Sequence, residues 1–197
     1  MKKTFFAFFW LTAFVAFNTK TYAQQNNTLS VIYGTGSANI VNAGIGAAGF
    51  KSEGQILFGL NYVHRLDRLF SIETGLEYSS NNLLWDYEDA YDPTFKPQKT
   101  NIKLLSVPVY GNFTFFKYLF LNAGFSVDFD TNHTSNSITP NESGIGVFLG
   151  IGGKYAFRHF SLLVNPFVQA HDIMSFSPSG GGILANSGVK FGVGYSF

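Results

Sequence analysis

From about residue 28 onward the chain repeats one short pattern. Segments of about 8 to 13 residues alternate apolar side chains with small or polar ones. A period of two is the strand signal, because successive side chains point to opposite faces. The last segment is the clearest: Val189, Phe191, Val193, Tyr195 and Phe197 share one face, and Gly188, Lys190, Gly192, Gly194 and Ser196 share the other. The same alternation runs through Gln55–Tyr62, Phe70–Ser79, Leu119–Phe129 and Gly144–Tyr155. Three weaker segments, 29–37, 101–113 and 160–171, complete a set of eight. Pro108 and Pro166 fall inside two of these. Proline has no N–H to give to a ladder, so a bulge or local irregularity is expected at each.

The connections sort into two classes that alternate strictly. Those near 66–68, 114–117 and 157–159 are tight; those near 38–53, 81–100, 130–143 and 172–184 are long and rich in Asn, Ser, Asp, Gly and Pro. Aromatic residues gather at two levels. Tyr62, Phe70, Phe113, Phe115, Phe116, Tyr118, Phe157, Phe160, Tyr195 and Phe197 lie near the tight turns, and Tyr78, Trp85, Tyr87 and Phe129 near the long links. Short turns, long loops and two aromatic girdles predict an all-β fold: an eight-stranded antiparallel up-and-down transmembrane β-barrel with its short turns in the periplasm. Within lipid every backbone polar group needs an internal partner, and closure into a barrel is what removes unpaired strand edges.

Composition supports this reading. Only 13% of the 197 residues are charged, 18% are aromatic, and the net charge is +1. There is no charge field to attract nucleic acid. The absence of cysteine excludes disulfides, thiolate metal sites and a Cys nucleophile. At the N-terminus, Lys2 and Lys3 precede an apolar run from Phe5 to Phe17, and Thr21-Tyr22-Ala23 resembles a cleavage site. Residues 1–23 are therefore expected to be a signal peptide, with 24–197 as the barrel domain. The run is too short to span a bilayer as a helix.

Residues 101–129, with Leu104-Leu105-Ser106-Val107-Pro108-Val109-Tyr110 leading into Tyr118–Phe129, resemble the small outer-membrane β-barrel domain widespread in Bacteroidetes, a porin-like group. There a Leu-Glu-Ile-Pro-Leu-type strand runs into a short turn and a Gly-containing strand; here Ser106 stands at the acidic position. Ile72-Glu73-Thr74-Gly75-Leu76-Glu77-Tyr78 resembles the preceding Gly-Leu-x-Tyr strand. Tyr195 and Phe197 resemble the aromatic C-terminal signal read by barrel assembly machinery. The resemblance covers most of 28–197 and implies the cell outer membrane as location, with outer-membrane lipid and that machinery as partners. It implies no particular activity.

Alternation puts Glu73, Glu77, Asp128, Lys154 and Lys190 on the inward face, with Arg65 and Arg158 near the tight-turn end. An eight-stranded barrel is narrow enough for side chains to fill it, so these charges are expected to form an interior network that plugs the lumen. The alternative use is an ion path or proton relay. Glu73 and Glu77, four apart on one strand, are expected about 13 Å apart, too far for a carboxylate pair. His159 and Ser161 resemble the His-x-Ser pair of outer-membrane lipid A deacylases, although Leu162 stands where that motif has Asn. His64, His133 and His171 are scattered over strand end and loops, with no metal-ligand spacing. Trp85, Tyr87, Tyr91 and Phe95, among acidic residues of the link 81–100, could bind an extracellular ligand or protein. The function expected is structural or surface interaction, non-catalytic and without cofactor. A membrane-embedded lipid A or phospholipid-modifying enzyme and a narrow pore or transport accessory stay open as alternatives.

Overall fold

The computed structural model describes residues 26–41, 49–86, 97–132, 141–176 and 182–197. The expected signal peptide lies outside the described residues. Eight strands follow one another in chain order: β1 (Asn27–Val41), β2 (Gly49–Arg65), β3 (Phe70–Asp86), β4 (Gln98–Phe115), β5 (Leu119–Asp130), β6 (Gly144–Phe157), β7 (Phe160–Ser175) and β8 (Ile183–Ser196). Each pairs antiparallel with its neighbour, and β1 pairs with β8 to close the ring.

The pairings fix the tilt. From Gly188, partners through β1, β2 and β3 lead to Ile102 on β4. Partners the other way, through β7, β6 and β5, lead to Asn112, ten residues farther along β4. Such a stagger makes the strands lean against the barrel axis. A level slice through Lys190 on β8 therefore crosses β4 at Tyr110 and not at the end reached by counting hydrogen bonds one way round.

The outward face is apolar. Val31 is 64% exposed, Phe125 63% and Leu162 59%, while alternating neighbours such as Ser30, Ser126 and Ser161 are buried. This is the reverse of a soluble domain, and it suits a wall that meets hydrocarbon. On β3 the belt runs from Phe70 to Tyr78 and on β8 from Val189 to Phe197, about the length that crosses a bilayer when tilted. Beyond it the outward positions turn polar, with Thr35, Ser37 and Asn39 on β1. A Lys99–Glu53 ion pair at 2.9 Å lies at the same end.

The tight turns have local causes. Asp67 accepts hydrogen bonds from the backbone N–H groups of Leu69 and Phe70 at 2.6 and 2.7 Å, which hold its carboxyl below the usual carboxylate range. Phe116 and Lys117 take φ of 49° and 65°, left-handed conformations within the three-residue connection between the paired Phe115 and Leu119.

Two expectations need correction. Several strands run past the limits read from periodicity: β1 reaches Val41, β4 spans Gln98–Phe115, β7 reaches Ser175, and β3 takes in Asn81–Asp86. Alternation weakens there because the outward side no longer meets lipid, yet the ladder continues. The bulges also lie elsewhere. Across Pro108 and Pro166 the register is unbroken, and pairing lapses for two positions on the side where the proline lacks its N–H. The register shifts at Ser52/Gly54, where Gly54 has φ 116°, and opposite Ile145/Val147, where Asp172 has φ 56°.

Candidate functional site

The site is the lumen, and it is layered. Its middle is organised by Lys190. The ammonium lies 2.8 and 3.0 Å from the two carboxylate oxygens of Glu77. It also sits 4.4, 5.1 and 5.5 Å from the ring centroids of Phe148, Phe167 and Tyr110. The rings stack on one another, Tyr110–Phe148 at 4.2 Å and Phe148–Phe167 at 5.6 Å. Ring faces carry negative potential, so a desolvated cation between them and a carboxylate is held from several sides. Glycine makes the room: a Cβ on Gly124 would overlap the Val109 carbonyl oxygen and sit 2.8 Å from Tyr110 Cα.

Just toward the tight turns, the Asn61 amide nitrogen donates to Glu73 Oε1 at 2.8 Å and to Glu77 Oε1 at 2.9 Å. Asn112 donates to the other oxygen of Glu73 at 3.0 Å. The two carboxylates are thus much closer than their positions along the strand imply. Both side chains lean toward one amide, which a count of residues cannot register.

Toward the long-loop end, Asp128 Oδ2 is 2.7 Å from His171 Nδ1 and accepts from Ser126 at 3.1 Å. The Asn186 amide nitrogen lies 3.1 Å from His171 Nε2. The same amide donates to Asn81 across the lumen at 3.1 Å. His171 is therefore a buried interior residue of β7 and not a loop histidine. Beyond this polar layer, Ala38, Leu83, Ile102, Leu104 and Leu184 form an apolar cluster inside the barrel, backed by Ile40 and Phe50. At its edge, Glu142 accepts from the Leu184 N–H at 3.2 Å, and burial pushes its carboxyl up to about 8.

The five inward charges do not all meet. Glu73, Glu77 and Lys190 share the central cluster, and Asp128 belongs to the His171 layer. Lys154 stands apart with Arg65 in a cavity at the tight-turn end. Arg158 is exposed on its turn, 5.5 Å from the Phe157 ring. His159 and Ser161 do not meet either. His159 is exposed on the turn and stacks on Tyr195 at 5.8 Å, while Ser161 points inward and is 2% exposed. Residues two apart share a face only within a strand, and the turn ends that rule at His159. His64 lies at the rim, 2.8 Å from Asn27. Trp85 is near the end of β3; Tyr87, Tyr91, Phe95 and His133 lie outside the described residues. Tyr195 and Phe197 are exposed beside the β1 start, where Phe197 N–H donates to Asn27 at 2.9 Å.

Residue-type reasoning missed Asn61, Asn81, Tyr110, Phe148, Phe167, His171 and Asn186. Parity could have flagged Phe148, the one large apolar side chain on an inward face that otherwise carries Gly144, Gly146, Gly150, Gly152 and Lys154.

An apolar outside, a largely polar inside packed with side chains across its middle and a closed ring define an eight-stranded up-and-down transmembrane β-barrel. No family model and no curated sequence matches the chain. Among solved structures it is similar to the outer membrane protein AlkL, at 9% identity over 92% of this chain and 95% of that one, with a TM-score of 0.50. Other similar structures are the outer membrane protein OprG of Pseudomonas aeruginosa (14% identity, 85% and 95% covered, TM-score 0.48) and the attachment invasion locus protein Ail of Yersinia pestis (14% identity, 87% and 99% covered, TM-score 0.42). The shared feature is the small outer-membrane barrel fold.

Proposed function

We propose that the protein is an integral outer-membrane barrel with a structural or surface-interaction role, that it is not catalytic, and that any specific recognition resides in its long outer connections. The observation that carries this reading is the sealed lumen. An ion crossing it would have to break the Lys190–Glu77 pair inside an aromatic stack and then displace the apolar cluster of Leu83, Ile102, Leu104 and Leu184. Both steps are costly in a low-dielectric interior. Location in the outer membrane is supported by the apolar belt, by the fold, and by the resemblance of residues 101–129 to the small barrel domain of Bacteroidetes.

Two measurements test this. Purified protein in planar bilayers is expected to stay silent, and discrete conductance steps would overturn the sealed lumen. Because the chain lacks cysteine, Asp89→Cys in the link 87–96 should react with a membrane-impermeant maleimide on intact cells. Arg158→Cys should react only after the cells are opened. Labelling of Arg158→Cys on intact cells would overturn the orientation.

A further inference from the structure

We infer that the tight-turn end of the lumen is a binding vestibule for a phosphate-type oxyanion. A cavity of about 200 Å³ occupies this end, with Arg65, Lys117, Lys154 and Glu73 on its walls. That is far more space than a single water needs. The charges on it sum to an excess of two positive. Glu73 is already engaged by Asn61 and Asn112, at 2.8 and 3.0 Å. Among the described residues neither Arg65 nor Lys154 has an ion-pair partner. The contrast with the rest of the lumen is sharp, since Lys190 and Asp128 both hold close partners.

A second observation is independent of charge. Ser161, 2% exposed, is one of the residues lining the cavity, and its buried hydroxyl has no hydrogen-bond partner. Ser30, 3% exposed, lines it as well, and the two hydroxyls lie on either side of Gly194. A buried hydroxyl without a partner, on a residue of the wall that also carries Arg65 and Lys154, is a donor awaiting an acceptor. A phosphate carries a charge of about −1.5 to −2 at neutral pH, which matches the excess, and its oxygens fit the guanidinium fork. A lone carboxylate would neutralise only half of it. The Lys190 layer closes the vestibule from above, so an anion enters and leaves at the tight-turn end. The inference stands apart from any role of the outer connections.

The test is titration of inorganic phosphate into the ¹⁵N-labelled full barrel in non-ionic detergent. Saturable shifts confined to amides near residues 28–30, 63–65 and 154–161 are expected. Lys154→Gln and, separately, Arg65→Gln should each weaken binding by about tenfold, the loss of one charge-assisted hydrogen bond. Unchanged heat-modifiable gel migration would show that each variant folds. A second arm places the barrel in phosphatidylcholine vesicles with and without phosphatidic acid. Block of phosphate binding by phosphatidic acid identifies a lipid headgroup as the source, and unimpeded binding identifies a free anion; either supports the site. Absent saturation, or equal binding by both folded variants and the parent, would overturn it.

Discussion

Lys190→Met isolates the central cluster. Methionine keeps an unbranched stem of similar length among Tyr110, Phe148 and Phe167 but removes the ammonium. The variant loses contacts of 2.8 and 3.0 Å to Glu77, each a charge-assisted bond of about 1.5–3 kcal/mol. It also loses the cation–ring attraction at 4.4–5.5 Å. Glu77, 1% exposed, is left with the Asn61 amide as its remaining neighbour of opposite polarity. Removing one member of a buried pair costs about 3–5 kcal/mol. Replacing both members by apolar side chains is often close to neutral, so Lys190→Met combined with Glu77→Met should recover most of that loss. Asn61 would still have Glu73 to bond. Urea unfolding in lipid vesicles, followed by tryptophan fluorescence and by heat-modifiable migration, reads each stability. A single-variant cost below about 1 kcal/mol, the range of solvated surface pairs, would mean that water reaches Lys190 and that the lumen is not sealed. A double variant as unstable as the single one would refute the pairing itself.

Glu142 makes stability depend on pH. Its folded value of about 8 stands above the ordinary 4.5, so between these limits the folded state keeps a proton that the unfolded chain has lost. Its stabilising contribution is complete below about pH 4.5 and fades as pH rises toward 8, by up to about 1.4 kcal/mol per pH unit. Glu142→Gln should flatten the urea midpoint over that window, and an unchanged pH slope would remove Glu142 as its source. Gly124→Ala places a methyl against the Val109 carbonyl and Tyr110 Cα. An overpacking cost of about 1–3 kcal/mol is expected in the same unfolding assay, and a neutral result would mean that the Tyr110 layer is looser than the contacts imply.

Sequence alone determined the number of strands, their up-and-down order and the inward parity of Glu73, Glu77, Asp128, Lys154 and Lys190. Those features follow from local alternation, which a barrel wall between lipid and lumen imposes on every strand. It failed where that contrast ends. Asn81 and Leu83 read as loop because their strand has left the membrane, yet both are buried inside it. His171 read as a scattered histidine because its partner Asp128 is 43 residues away. Only the closed ring decided who meets whom. The ten-residue stagger brings Lys190 level with Tyr110, Phe148 and Phe167 and leaves Lys154 lower down with Arg65. Periodicity along a strand sets which face a side chain takes. Shear between strands sets its height in the lumen, and that is a property of the whole barrel.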